Sequence, residues 1–430
     1  MIPKTLDQWL TYIQTIHARS KNIDLDRVRE VKNVLGLKRR PVVISVGGTN
    51  AKGSSVGLME SVLCYSGVKV GAFTSPHLIR YQERIKIGGS EISEKRLLNI
   101  FGRVEEARSN IPLTFFEFGT IAALFAFEED EVDVAILEVG LGGRLDAVNT
   151  ENQDITLLTP ISLDHQEWLG QDRETIGLEK AGILKVGGKL VINDLNPPNS
   201  VISKAQSLGC ETMQYGIDYL FEDANHYWNW VPKNSKLIGT GKENQLPLPK
   251  VKGEHQLMNA AGVITVLKSI KNQLPIPRVA LEKGLKSQFI RGRLEILQKE
   301  PEIILDIAHN KSAAKNLREF LISRPITGTT FAVFSALKDK PVKEIVQICS
   351  SVIDIWYITE LSDKRAMSLD SLKKTIQSVH AKNIVFSKTP HTAFAAACEK
   401  AGALDRIVVF GSTYLAGDIM AFLDSRNASP

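Results

Sequence analysis

The sequence predicts an α/β protein of two doubly wound domains. Residues 1–290 would carry a parallel sheet entered through a phosphate-loop turn, with a small antiparallel addition, and residues 291–430 a smaller Rossmann-like unit. Three observations predict this. Short β-branched runs alternate with longer segments of helical spacing, the runs are apolar on both parities, and the alternation restarts after residue 290. A run apolar on both faces belongs in a parallel sheet covered by helices on each side. At 430 residues the chain also exceeds the size, about 250–300 residues, at which a single core stops growing.

In the first domain the strands are "PVVISVGG" from Pro41, "VKVGAFTS" from Val68, "VDVAILEVG" from Val132, "DITLLTPIS" from Asp154 and "KLVIND" from Lys189. Between them "SVGLMESVLCYSG" and "GTIAALFAFEED" have helical spacing, the former stopping on Gly67. Residues 211–250, rich in Tyr, Trp, Asn and Pro, read as irregular antiparallel decoration. Its Tyr227, Trp228 and Trp230 suit packing onto a sheet better than stacking on a ligand. After "SQFIRGRLEIL", whose Arg291 and Arg293 flank Gly292, a second series follows: "EIILDIAHN", "TTFAVFSAL", "VIDIWYITE", "NIVFSK" and "RIVVFGS".

Composition narrows the function. The 53 basic and 48 acidic residues give a net charge of only +5, without the dense basic block that a nucleic-acid tail would show, so small anionic ligands suit the chain better than DNA. Cys64, Cys210, Cys349 and Cys398 lie far apart and read as free thiols of a reducing compartment. No run approaches the roughly 20 apolar residues of a membrane span, and the N-terminus lacks the apolar core of a secretory signal, so a cytoplasmic protein without membrane contact is expected.

The chemistry begins at "VISVGGTNAKGSSVG", residues 43–57. A strand breaks into glycines, Thr49, Asn50 and Ala51, then Lys52 and Gly53-Ser54-Ser55 open a helix. Backbone N–H groups and a helix N-terminus facing an anion, with a lysine for the terminal phosphates, make a phosphate cradle. The stretch departs from G-x-x-x-x-G-K-[ST] twice, because Gly53 precedes the serine and Ala51 precedes the lysine. If that position needs positive φ, alanine costs about 1 kcal/mol relative to glycine. Ser75, Glu138 and His165 follow three strands, and ligands collect beyond the carboxyl ends of an open parallel sheet. A hydroxyl, a carboxylate and an imidazole there suit a magnesium ion that keeps waters and nucleotide oxygens. Singly, each has a plainer reading: a turn serine before Pro76, a capping or ion-paired carboxylate, a loop histidine.

The ordered segments "GGTNAKGSS", "TSPHLIRYQERI", "TFFEFGT", "LEVGLGGRLDAVN", "LDHQEWLG", "EKAGI", "LDIAHN" and "FGSTYLAG" resemble the folylpolyglutamate synthase family of the Mur-type amide ligases, over most of the chain. "TFFEFGT" and "GGRLDA" are most similar to its bifunctional dihydrofolate synthase/folylpolyglutamate synthase members. The resemblance implies that Thr49, Asn50, Ala51, Lys52, Gly53 and Ser54 hold ATP and that Ser75, Glu138 and His165 bind Mg²⁺. It implies that Lys180 is carbamylated (N6-carboxylysine), which turns a cation into an anion able to assist a second magnesium ion; without the resemblance Lys180 reads as a surface lysine. It further places Asn259, Arg293 and Asp306 at the nucleotide, His309 in the catalytic set, and Thr114, Phe115, Phe116, Glu117, Leu145, Asp146 and Ala147 in a dihydropteroate pocket. "FIRGR" replaces the family's L-P-G-R hinge but keeps its arginine.

The implied reaction joins L-glutamate to dihydropteroate and to folates. ATP phosphorylates the carboxylate to an acyl phosphate, the amine displaces phosphate, and closure about residues 287–293 keeps water away. His309 is a candidate base for the amine. Other readings are folylpolyglutamate synthesis alone, a cell-wall Mur ligase, or a nucleotide-binding regulator that has lost turnover. The barely 40 residues before the loop disfavour the cell-wall enzyme, which adds a UDP-binding domain, and retention of Lys52, Glu138 and His165 disfavours the regulator. The family suggests a monomer.

Overall fold

The computed structural model describes residues 3–16, 24–38, 40–234, 237, 241–251, 253–288, 290–379 and 383–427. Phe289 of the "FIRGR" segment and parts of the 211–250 stretch lie outside them. The chain divides into two compact units: Met1–His77, Tyr81–Lys250 and Leu257–Gln288 in one, Leu78–Arg80, Val251–Gln256 and Phe289–Pro430 in the other.

In the first unit, strands β1 (Val42–Gly47), β2 (Val70–Phe73), β5 (Val134–Glu138), β6 (Ile155–Leu158), β7 (Lys189–Ile192) and β8 (Glu211–Gln214) run parallel. A hairpin of β3 (Ile85–Ile87) and β4 (Ser90–Glu91) adds an antiparallel edge, giving the order β4-β3-β2-β5-β1-β6-β7-β8. All five strands expected in the first series are present. β8 corrects the sequence reading: Glu-Thr-Met-Gln is too polar to announce a buried strand, yet as the sheet edge it buries only Met213 on one face. The rest of the decoration is antiparallel, with β9 (Tyr219–Asp223), β10 (Tyr227–Pro232) and β11 (Glu243–Pro247) forming a separate sheet. Trp228 and Trp230 are fully buried there, donating to Pro247 O and Thr265 Oγ1 at 3.0 Å each, so they pack rather than stack on a ligand.

The pleat sorts the core. Ile44, Val46, Val134, Ile136 and Leu157 pack on one face, and Val43, Ala135, Leu137, Leu158 and Ile192 on the other. Burying each large aliphatic side chain contributes about 1.5–3 kcal/mol, and burial on both faces specifies the parallel arrangement. Helix α3 (Lys52–Tyr65) leaves the end of β1, and Gly67 follows its end at φ 78°. On the other face α5 (Phe115–Glu129) is buried from Glu117 to Phe127 and starts in a capping box between Thr114 and Glu117. Helices α1 (Leu6–Ile16), α2 (Asp26–Leu35) and α4 (Glu94–Arg108), which the sequence pattern does not announce, add to the layer.

The second unit is a six-stranded sheet, β12-β13-β17-β14-β15-β16. β13 (Glu302–Leu305), β14 (Thr330–Phe334), β15 (Ile355–Thr359), β16 (Ile384–Ser387) and β17 (Arg406–Phe410) are parallel, and β12 (Glu295–Lys299) is antiparallel. These five parallel strands are the second series of the sequence. Core clusters cover both faces, one around Phe334, Trp356 and Phe410, the other around Val333, Val409 and Phe394. The four cysteines are free, and among the described residues no helix is long and apolar enough to cross a membrane.

Candidate active site

The end of β1 turns into α3 through the glycine-rich loop. Gly48 has φ 138°, and a Cβ there would stand 1.9 Å from Thr159 Oγ1, so only glycine fits. Thr49 Oγ1 accepts the Ser162 N–H at 3.0 Å and donates to Ser162 O at 3.1 Å, which straps the loop to the segment after β6. Ala51 is left-handed, φ 68° and ψ 1°, as N-cap of α3; the alanine occupies the conformation for which glycine was expected. Lys52 is the first helical residue, and its Nζ reaches back to Gly48 O and Thr49 O at 3.2 Å each.

Two predicted metal residues meet beside this turn. Glu138 ends β5, is buried, and its Oε2 accepts the Ser75 N–H at 3.0 Å. A Cβ on Gly53 would lie 3.5 Å from the same oxygen, so the first turn of α3 presses its backbone against the carboxylate. His165 stands on the loop after β6, left-handed at φ 51°, with Nε2 4.0 Å from Asp164 Oδ2. Among the described residues no three His, Cys, Asp or Glu side chains form a ready metal cage.

Lys180, on α7 (Arg173–Ala181), is no surface lysine. It is 5% exposed and donates to Gly48 O at 2.8 Å, so it lies under the phosphate loop. Burial first, and Lys52 second, lower its pKa to about 7, against the pull of Asp164, Asp146 and Glu179. Asp146 organises the loop after β5: its carboxylate accepts the N–H groups of Gly140, Leu141 and Val148 at 2.9–3.0 Å. Burial raises its pKa to about 6, opposed by those bonds and by Lys52. Leu145 and Ala147 flank it, half-buried and buried respectively.

The first turn of α5 borders the same loop. Phe116 packs on Phe73, and a Cβ on Gly140 would stand 2.6 Å from its ring; Phe115 sits edge-on to Tyr81 with Arg84 over its face. Glu117 is engaged within the fold. It accepts the Thr114 N–H at 2.7 Å and, from α2, Arg27 Nη2 at 2.7 Å and Nε at 3.0 Å, with both side chains buried. Arg27 and Asp164 were missed by sequence reasoning; the acidic neighbour of His165 was a usable signal, whereas nothing in "LDRVRE" distinguished Arg27. Asn259 is buried on α9 (Glu254–Ser269).

In the second unit Asp306 is buried, accepting the Leu294 and Ala308 N–H groups at 2.9 and 2.7 Å. Burial raises its pKa while Arg293 opposes, and His309 lies beside it with Nδ1 2.8 Å from Ile307 O. Arg293, Asp306 and His309 therefore share one end of that sheet.

Residues 46–267 match the Mur ligase middle domain and residues 292–413 the Mur ligase glutamate ligase domain. The chain is 36% identical to the Escherichia coli dihydrofolate synthase/folylpolyglutamate synthase over 98% of its own length and 96% of that protein. It belongs to this family. The Haemophilus influenzae member is 33% identical across 97% of the chain and 98% of that protein. Among solved structures of the family, E. coli FolC in complex with DHPP and ADP superposes with a TM-score of 0.92 at 34% identity, covering both chains fully. A bifunctional folylpolyglutamate synthase/dihydrofolate synthase with Mn, AMPPNP and L-glutamate bound gives 0.90 at 34%, covering 99% of this chain and all of that one.

Proposed function

We propose that the chain is an ATP-dependent ligase that adds L-glutamate to dihydropteroate and to folate glutamyl chains, with the first unit holding the nucleotide and the acid. The arrangement of Lys52, Glu138 and Lys180 around one phosphate loop carries this reading, together with membership of the family. α3 offers unpaired N-terminal N–H groups and a partial positive charge to the phosphates. Lys52, swung from the Gly48 and Thr49 carbonyls, would neutralise the γ-phosphoryl group as the substrate carboxylate attacks it. The carboxylate oxygen becomes the bridge of an acyl phosphate, and ADP leaves. The amine of glutamate then attacks the carbonyl, and phosphate departs with that oxygen.

A divalent metal suits these residues: Mg²⁺ is bound through one or two carboxylates plus phosphate oxygens and water, and Glu138 supplies a buried hard oxygen beside the helix start. Glu138, Ser75 and His165 would hold it, and when bound it polarises the phosphoryl oxygens and spreads their charge. Lys180 supports the N6-carboxylysine expectation on chemical grounds. Its amine is half neutral near pH 7, and only a neutral amine adds to carbon dioxide, forming a carbamate and releasing one proton. Asp146 shapes the loop bearing Leu145 and Ala147, Phe115 and Phe116 offer aromatic edges to a flat pterin, and Thr114 caps the turn that carries them. Glu117 fixes the first turn of α5 through Arg27. Asn259, Arg293 and Asp306 are proposed at the nucleotide, and His309 as the base for the incoming amine.

Phosphate release tests the reading. With ATP, Mg²⁺ and L-glutamate, release should depend on added dihydropteroate or folate. Release that is indifferent to both would refute it.

A further inference from the structure

The chain has five tryptophans, and Trp168 stands apart from the other four. Trp9, Trp228, Trp230 and Trp356 are at most 2% exposed, whereas Trp168 is 71% exposed. Its platform is fixed. On the single-turn helix α6 (Gln166–Leu169) the N–H groups of Trp168 and Leu169 donate to His165 O at 2.9 and 3.0 Å. Gln166 and Gln171 exchange side-chain-to-backbone bonds at 3.2 Å in both directions. The next residue, Leu169, is buried and lies 3.1 Å from where a Cβ on Gly142 would be, so the turn is seated on the loop organised by Asp146. Upstream, Ser162 is strapped to Thr49 of the phosphate loop. Leu141 and Leu163, 41% and 36% exposed, belong to the same two segments. A solvent-facing indole thus projects from a hydrogen-bonded turn that links the phosphate loop to the Asp146 loop.

We propose that Trp168 is the stacking surface for the aryl ring of the acid substrate, the p-aminobenzoyl group of dihydropteroate. This rests on the ligase reading above. The carboxylate that attacks the γ-phosphoryl group is attached directly to that ring. A carboxylate brought to the phosphates therefore carries its ring to the wall flanking the loop, and a flat, apolar ring with polar ends is matched by an indole face. The hydrogen-bonded backbone of its turn leaves only side-chain torsions to be ordered by that contact.

The test uses the full chain carrying 5-fluorotryptophan, saturated with ADP, its Trp168 fluorine resonance assigned by Trp168→Phe. Adding dihydropteroate should shift that resonance and remove its solvent isotope effect, leaving the other four in place. In kinetics Trp168→Ala should raise the KM for dihydropteroate about tenfold, equivalent to 1.4 kcal/mol and within the range of ring stacking, with the ATP KM unchanged. Trp168→Phe should recover most of the loss. An immobile Trp168 resonance, a shift produced by ADP alone, an unaltered KM in Trp168→Ala, or a Trp168→Phe as poor as the alanine variant would each overturn the assignment. Dihydropteroate-dependent phosphate release by the unsubstituted enzyme would still stand in those cases, so loss of this contact and loss of the ligase reading are distinguishable.

Discussion

Replacing Ala51 by glycine tests the phosphate loop with a single methyl group. Ala51 holds φ 68° and ψ 1°. A left-handed non-glycine residue costs about 1–2 kcal/mol, because Cβ crowds the following carbonyl. Glycine removes that cost but leaves a more flexible unfolded chain, worth about 0.4–1 kcal/mol in the other direction. The difference favours Ala51→Gly by about 0.5–1 kcal/mol, and at 2–4 °C per kcal/mol for a unit of this size Tm should rise by about 2 °C. The N–H groups that face the phosphates keep their directions, so kcat should stay within a factor of two and the ATP KM change modestly. Differential scanning calorimetry and steady-state phosphate release measure both. A Tm lowered by the substitution, or activity reduced a hundredfold, would show that the alanine does something other than tolerate a glycine conformation.

Three further expectations follow from the buried charges. Arg27→Met leaves the Glu117 carboxylate buried without its guanidinium partner and should cost about 3–5 kcal/mol in urea unfolding, while Arg27→Met with Glu117→Gln should recover most of it; additive losses would contradict a structural pairing. Lys180 titrates near 7 in the folded chain and near 10.5 when unfolded, so between those values the unfolded state binds the extra proton and stability rises with pH. Lys180→Met should flatten that rise; an unchanged pH profile of urea midpoints would refute the buried assignment. At fixed dissolved carbon dioxide, ¹³C-labelled carbamate on Lys180 should grow as pH passes 7, and its absence above pH 8 would remove the carboxylysine proposal.

Legibility in the sequence followed burial. Strands covered on both faces, such as "VDVAILEVG" and "RIVVFGS", were apolar on both parities and readable. β8 and the β3–β4 hairpin at sheet edges keep too few buried positions to leave a pattern. α1 and α2 have weak patterns because each buries only three residues, packed against the helices α4 and α5. In the site, glycines and lysine announced the loop because backbone geometry demands those residues. The burial of Lys180 was illegible, since "GLEKAG" reads as a solvated helix end and only the position of α7 under Gly48 makes it otherwise. The carboxylate of Glu117 was legible as important but not as paired with Arg27, 90 residues away.

We propose that Lys52, Glu138 and Lys180, grouped around the phosphate loop, activate an acid by moving a phosphoryl group onto its carboxylate. Dihydropteroate labelled with ¹⁸O in that carboxylate, turned over with ATP, Mg²⁺ and L-glutamate, tests it most directly by mass spectrometry of the released phosphate. One oxygen of each phosphate should come from the substrate carboxylate. Unlabelled phosphate formed alongside the amide product would contradict the account.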